Sequence, residues 1–271
     1  MEEHTDLKDI PVVILCGGEG TRLKEETEFK PKPLVEVGGI PILIHIMRIY
    51  QAQGFTRFIL CLGYKGDLIK RYFLEHRFML NDFTMDTTLN TIDVHDRFHL
   101  NGCQITLADT GKNTLTAGRV KKIERYIHTD NFMLTYGDGV ANINLHQLWD
   151  LHHRKNKICT ITGINPVSKY GLIKMNENDE ILDFSEKPPM ADIINGGFMV
   201  MNRRFFEYLQ EDCMFESKIL PILSKDRQIV VYHHTKFWHC LDTYKDYQDL
   251  NRLWEEAKPW KIWNDEETVS K

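Results

Sequence analysis

Between Leu15 and Pro33 the chain reads LCGGEGTRLKEETEFKPKP. Gly17, Gly18 and Gly20 close an apolar run; Arg22 follows, then Lys30 and Lys32 on either side of Pro31, with Pro33 behind them. Glycine lets backbone N–H groups approach an anion closely. Arginine can bridge two phosphate oxygens with its planar fork. The prolines stiffen the lysine segment, so little entropy is lost on binding. These residue types in this order suit a polyphosphate; the alternative is a solvated loop with incidental charge. Two familiar phosphate loops do not match. The Walker spacing fails because Thr21 and Arg22 follow Gly20, and the dinucleotide fingerprint fits Gly18 and Gly20 but meets Leu23 at its third position. Leu23 thereby argues against a nicotinamide-dependent oxidoreductase.

Such a loop needs a rigid support. IPVVILCGG reads as a strand covered on both faces, because its apolar run is continuous rather than alternating. Pro41 opens a helix over PILIHIMRIYQAQG, which Gly54 can end. RFILCLGY is a second buried strand and GDLIKRYFLEH a second helix. CQITLADTG, NFMLTYGDG and KICTITGI read as further strands, with GRVKKIERYI and LHQLWDLHHRKN as the helices between them. This alternation predicts an α/β fold with parallel strands at its centre. GLIKMNENDEILDFSEKP reads as a hairpin turning at NEND. GGFMVMN and QIVVYHH are late strands, RRFFEYLQ and ESKILPILSK are helical, and YKDYQDLNRLWEEAK is an amphipathic C-terminal helix. The stretch from Arg77 to Gly102 has no clear period and is too long for a plain connection, which predicts a lid, an arm or an oligomer contact.

Composition narrows the partners. Lys and Arg number 34 against 39 Asp and Glu, a net charge of -5, which argues against broad nonspecific nucleic-acid binding and leaves room for a local basic pocket for a small anion. No apolar run approaches the ~20 residues that span a bilayer, so no membrane partner is expected. The opening MEEHTDLKDI lacks the basic start and apolar middle of a secretory signal. The six scattered cysteines, with no C-x-x-C pair, read as thiols of a reducing cytosol rather than a zinc site. A cytoplasmic location is the expectation.

LCGGEGTRL followed by KPKPLVEVGGIPIL resembles the signature of the sugar-phosphate nucleotidylyltransferases, and YGDG, EKP, NGGF and FWHCLDT follow in the family's order. The likeness runs from about Pro11 to Trp263. Within the family the chain looks most like the glucose-1-phosphate cytidylyltransferase subgroup, through CLGYKGDLIKRYF, LADTG, TAGR, TYGDGVAN, INGGFMV and LWEEAKPWKIW. The resemblance implies a Rossmann-like α/β domain: a mixed, mainly parallel sheet flanked by helices, with a smaller mixed sugar-binding part. Nucleotide binding would fall in about residues 10–165, sugar-phosphate binding and the C-terminal helix in about 166–264, and 77–102 would be an insertion.

Residue by residue, the resemblance implies that Leu15, Cys16, Gly17, Gly18, Gly20, Thr21, Arg22, Lys32, Thr114, Arg119 and Gly137 surround the nucleotide. Asp138 and Asp242 would hold Mg²⁺, and Tyr170, Gly171, Glu186, Lys187, Asn195 and Gly196 the sugar phosphate. Arg22, Lys32 and Lys187 would be catalytic. The implied partners are CTP and a sugar 1-phosphate, glucose 1-phosphate first. A homo-oligomer is implied, with a hexamer as the form suggested, because contacts to CTP can come from a neighbouring subunit. Cys16 stands where many members have alanine, and NPVSKYGLIK differs from the subgroup's wording, which bears on the sugar more than on the chemistry.

The expected reaction is in-line attack of a sugar 1-phosphate oxygen on the α-phosphorus of CTP, with pyrophosphate leaving. A phosphate dianion is already a nucleophile, so no Ser/His/Asp triad is required. Rival expectations are UTP or dTTP as donor, a different phosphorylated acceptor, or a non-catalytic nucleotide-binding subunit. On local sequence Asp138 could instead make a turn, Asp242 could cap a helix, and Glu186 with Lys187 could form a surface pair. The doublets His152–His153 and His233–His234 read as solvated or core histidines, because adjacent residues do not face one site. Trp254, Trp260 and Trp263 are expected to dock the C-terminal segment.

Overall fold

The computed structural model describes residues 6–264 apart from 80, 96–99, 101 and 169. The reading of the first five residues, and part of that of 77–102, lies outside the described residues. From the N-terminus, β1 (Pro11–Cys16) leads through the glycine loop to α1 (Lys24–Thr27) and a small ribbon, β2 (Glu36–Val37) with β3 (Ile40–Pro41). Next come α2 (Ile42–Gln51), β4 (Arg57–Leu62), α3 (Gly66–Met79), β5 (Phe83–Asp86), β6 (Thr91–Val94), β7 (Gln104–Asp109) and α4 (Thr116–Lys122). β8 (Asn131–Tyr136), β9 (Gly139–Ala141), α5 (Leu145–Lys155), β10 (Cys159–Ile164), β11 (Leu172–Met175) and β12 (Ile181–Ser185) follow. The chain ends with β13 (Ile194–Asn202), α6 (Leu220–Lys225), β14 (Ile229–His234), β15 (Trp238–Cys240) and α7 (Tyr244–Glu256).

Among the described residues the central sheet runs β14–β10–β13–β8–β1–β4–β7. β13 is antiparallel to both of its neighbours, and every other adjacent pair is parallel. The continuous apolar runs have a direct cause. Val12, Ile14 and Cys16 of β1 face one core with Ile46, Met47 and Tyr50 of α2, while Val13 and Leu15 face a second core with Ala117 and Val120 of α4. A strand buried on both faces has no polar side to alternate. Pro41 stands at the N-cap of α2, and Gly54 beyond its end takes φ +90°, which a residue with a Cβ rarely adopts. The three tryptophans do dock the C-terminal segment: Trp254, Trp260 and Trp263 pack around His45 of α2.

Two features depart from the sequence reading. Part of the unclassified stretch after Arg77 is a hairpin, β5 with β6, in which Phe83 faces Val94 and Met85 faces Ile92. Phe83, Met85 and Ile92 are exposed, so the pattern lacks the unbroken apolar run of a core strand. The three-residue β15, which pairs with β9, carries no strand signal of its own. The hairpin expected at NEND is present as β11 and β12, closed by Asn176 N–H to Glu180 O with Asp179 at φ +63°.

Candidate active site

The cleft is built by strand ends. β1 and β8 lie side by side in parallel register, Leu15 opposite Tyr136, so the loops leaving both strands emerge together. Gly137 N–H donates to Leu15 O at 3.1 Å; a Cβ at Gly137 would stand 2.9 Å from that oxygen, which only glycine avoids. Beyond β1 the glycine loop turns at Gly20, φ +66°. Thr27 fixes the turn by donating to Gly20 O at 3.1 Å and to Leu23 O at 2.8 Å. A Cβ at Gly20 would lie 3.2 Å from Lys32 Cβ, so loop and lysine are in direct register. Lys32 begins a 3₁₀ turn, Lys32–Leu34, seated by Pro31. Lys30 points elsewhere, 3.7 Å from Glu36.

Asp242 reaches the same place from the far end of the chain. β15 pairs antiparallel with β9, Cys240 opposite Gly139, and Leu241 N–H donates to Asp138 O at 2.8 Å. That ribbon sets Asp242 beside Asp138. The cap of α7 is a box between Thr243 and Asp246, so Asp242 is not consumed as a helix cap. Nor does Asp138 merely make a turn: its Oδ2 accepts from Lys32 Nζ at 2.7 Å, and Asp242 Oδ1 accepts from the same ammonium at 2.8 Å. Arg22 Nη2 lies 2.9 Å from Asp242 Oδ1. Burial works to raise the Asp242 carboxyl, but Lys32 and then Arg22 override it and hold it below the ordinary carboxylate range. Burial likewise works to lower the Lys32 ammonium, and Asp138 and Asp242 hold it above the ordinary lysine value.

These groups line a cleft of ≈ 490 Å³. Every residue expected at the nucleotide lines it, together with Asp138 and Asp242. A smaller hollow of ≈ 260 Å³ shares Arg22, Tyr136, Asp138 and Asp242 with the cleft and adds Asn195, Gly196 and Trp238. Tyr170, Gly171, Glu186 and Lys187 line neither; they sit at the base of the β11–β12 hairpin, and Lys187 Nζ is 3.2 Å from Glu186 Oε1 on the exposed surface. Arg119 lines the cleft, yet its guanidinium is committed to the walls. Nη1 donates to Leu62 O, Thr110 Oγ1 and Gly111 O, and Nη2 to Gly17 O and Lys112 O. Gly17 and Gly63 make room for it, since a Cβ on either would fall 2.1–2.3 Å from the guanidinium.

The sequence reading missed Pro33, Leu115, Thr116, Tyr136 and Met214 in the lining. Tyr136 Oη donates to Glu216 Oε1 at 2.7 Å and Thr116 Oγ1 to Glu216 Oε2 at 3.0 Å. This network ties the start of α4 to the strand end. Tyr136 opens YGDG and Thr116 opens TAGR, so both lay next to recognised motifs; Met214 and Glu216 carried no signal.

The profile of the family described as "Nucleotidyl transferase" matches residues 11–263. The chain belongs to the nucleotidyl transferase family. Among its family relatives, the "Probable glucose-1-phosphate cytidylyltransferase" of Bacillus subtilis is 45% identical over 254 residues, 93% of this chain and 99% of that protein. The "Glucose-1-phosphate cytidylyltransferase" of Salmonella typhimurium is 39% identical over 255 residues, 93% of this chain and 98% of that one. Among solved structures, HddC from Yersinia pseudotuberculosis superposes with a TM-score of 0.65 at 24% identity, covering 90% of this chain and 99% of that one, which shows a shared fold.

Asp138 and Asp242 fit a divalent cation. They already share one positive group, the Lys32 ammonium, between two carboxylate oxygens, and magnesium prefers oxygen donors with only one or two carboxylates. Donor atoms of Asp138, Asp242 and Cys240 all lie within 4.8 Å of one another.

Proposed function

We propose that this nucleotidyl transferase moves CMP from CTP to glucose 1-phosphate, giving CDP-glucose and pyrophosphate with the help of Mg²⁺. The observation that carries the chemistry is the meeting of Lys32 and Arg22 with Asp138 and Asp242 in the lining of the glycine-rich cleft. The likeness to two glucose-1-phosphate cytidylyltransferases over nearly their whole lengths supports the choice of base and acceptor.

In this reading the N–H groups of the Gly17–Gly20 loop and Arg22 bind the β- and γ-phosphates, and Lys32 stands beside the reacting phosphorus. An oxygen of the sugar phosphate forms a bond to the α-phosphorus, the bond to the bridging oxygen breaks, and its electron pair leaves on pyrophosphate. Arg22 and Lys32 neutralise that charge, so catalysis is chiefly positioning and electrostatics. Bound between Asp138 and Asp242, magnesium would supply further neutralisation of phosphate charge. Asn195 and Gly196, in the hollow that opens on the same carboxylates, receive the sugar phosphate. Tyr170, Gly171, Glu186 and Lys187 act from the hairpin side.

The reading extends to one domain, with nucleotide binding in about residues 10–165 and sugar-phosphate binding in about 166–264. It extends also to a cytoplasmic homo-oligomer. Free thiols at all six cysteines support the first address. The exposed face of Ile173, Met175, Ile181 and Phe184 supports association, because a two-stranded hairpin is marginal alone. No helix among the described residues is long and apolar enough to cross a membrane.

The test is pyrophosphate release with Mg²⁺ and glucose 1-phosphate across CTP, UTP, dTTP, ATP and GTP. Release with CTP alone is expected. Release with another nucleotide in preference to CTP overturns the base assignment, and silence with all five overturns the acceptor.

A further inference from the structure

The two cations assigned to the triphosphate are held by the two carboxylates assigned to the metal. Lys32 Nζ lies 2.7 Å from Asp138 Oδ2 and 2.8 Å from Asp242 Oδ1, and Arg22 Nη2 lies 2.9 Å from that same Asp242 oxygen. Lys32 is nearly enclosed, its side chain 12% exposed, while Arg22 is 72% exposed. We propose that Lys32 and Arg22 are internal counter-cations of the metal carboxylates, so that a divalent cation and a triphosphate are taken up together and each is resisted alone. This rests on the assignment of the cleft to a metal–triphosphate substrate.

Unpaired charge opposes either ligand alone. A divalent cation arriving alone meets an ammonium already seated between its two ligands. A triphosphate arriving alone must draw Lys32 off two partly buried carboxylates and leave both unpaired, which is costly away from bulk water. When both arrive, the carboxylates exchange one cation for another while Lys32 and Arg22 turn to the phosphates, and every charge keeps a partner. The local structure permits the exchange. The backbone of Lys32 is fixed by Val35 N–H to Lys32 O at 3.0 Å, so only its side chain need swing. The phosphate loop is already in contact, because Gly20 backs directly onto Lys32 Cβ.

Two substitutions read this out without turnover. In Lys32→Met, Mn²⁺ binding to the protein alone, followed by loss of the free Mn²⁺ electron paramagnetic signal, is expected to tighten by about 10-fold or more, within the usual range of coupling between sites. In Asp242→Asn, CTP binding in excess EDTA, followed by calorimetry, is expected to tighten by a similar factor, because Lys32 and Arg22 lose an anchor. A lysine that only contacts phosphate would leave Mn²⁺ binding unchanged, and an aspartate that only binds metal would leave metal-free CTP binding unchanged. Lys30→Met removes the same charge from a lysine paired with Glu36 and is expected to leave Mn²⁺ binding as in the wild type.

Unchanged or weaker binding in either arm overturns the proposal, as does equal tightening in Lys30→Met. If Lys32→Met does not fold, the Asp242→Asn arm decides alone. Inorganic tripolyphosphate repeats that arm without a base. Tightening of tripolyphosphate with no CTP binding supports the counter-cation arrangement and sinks the cytidine assignment instead.

Discussion

Replacing Arg119 by methionine should loosen the glycine-lined cleft while leaving the chain folded. Arg119 is 5% exposed, and its guanidinium donates to Leu62 O at 3.1 Å, Thr110 Oγ1 at 2.8 Å, Gly111 O at 2.8 Å, Gly17 O at 3.0 Å and Lys112 O at 3.1 Å. The bonds to Leu62, Thr110 and Gly17 are buried; those to Gly111 and Lys112 are partly so. A hydrogen bond from a charged donor contributes roughly 1.5–3 kcal/mol, so the three buried ones amount to about 5–9 kcal/mol gross. Two effects reduce this. Burial of the guanidinium opposes its charged form. Leu62 O and Gly17 O also keep other donors, Thr110 N–H at 3.0 Å and Tyr64 N–H at 3.2 Å. A net loss of about 2–4 kcal/mol remains. At about 2–4 °C per kcal/mol for a chain of this size, Tm should fall by roughly 4–16 °C. The lost bonds join the Gly17 loop to the 110–112 segment, so CTP affinity should fall about tenfold or more. Differential scanning calorimetry and CTP titration measure the two effects. Gly17→Ala should act in the same direction, since its methyl would meet Arg119 Cζ at 2.1 Å. A Tm within about 2 °C of wild type together with unchanged CTP affinity in Arg119→Met would refute the reasoning.

Arg22→Ala and Lys32→Ala should each lower turnover by roughly 10²–10³-fold. Only Lys32→Ala should also lower Tm, because it leaves Asp138 and Asp242 without their enclosed partner, whereas Arg22 is largely exposed; steady-state kinetics with thermal scans separate the two. His152 is buried between Thr160 Oγ1 and Asn131 Oδ1, and burial pulls its imidazole down to about 4. Below the unfolded value of ~6.5 the unfolded chain takes a proton that the folded chain refuses, so stability should fall by up to about 3 kcal/mol between pH ~6.5 and ~4, with no such loss above ~6.5. Urea unfolding across that window should show the slope in wild type and a flatter one in His152→Gln. Thr243→Ala breaks the capping box of α7 and should cost about 1 kcal/mol of stability. It should also slow turnover, because the cap fixes the backbone next to Asp242; a chemical-denaturation midpoint and a rate measure both.

Much of the cleft lining was legible because its glycine-rich end is local in sequence. The strand, the glycines, Arg22 and the proline-set Lys32 all fall within Pro11–Pro33, and their order alone suggested an anion site. Asp242 was not legible by such means. It reaches Asp138 through a three-residue ribbon between β15 and β9, too short for periodicity to register, and only the family likeness of LDT pointed to it. The Tyr136–Glu216–Thr116 network was missed for a different reason: ESKILPILSK reads as helical, but that pattern does not show that its first turn, Phe215–Ile219, is π-helical and turns Glu216 to Tyr136 and Thr116. The histidine doublets behaved as side-chain directions require. His152 is a buried hydrogen-bonded residue, while His153 turns outward against Trp149. The β5–β6 hairpin escaped because Phe83, Met85 and Ile92 are exposed and its apolar residues are interrupted by Asp and Thr.

The Lys32–Asp138–Asp242 cluster is the proposed reacting centre of cytidylyl transfer. Phosphorus NMR of the protein with Mg²⁺, CTP and glucose 1-phosphate tests it most directly, with the Asp138→Ala/Asp242→Ala double variant alongside. The account predicts CDP-glucose and pyrophosphate appearing in equal amounts with the wild type and neither with the variant. Hydrolysis of CTP to CMP without sugar nucleotide, or wild-type product formation by the double variant, would contradict it.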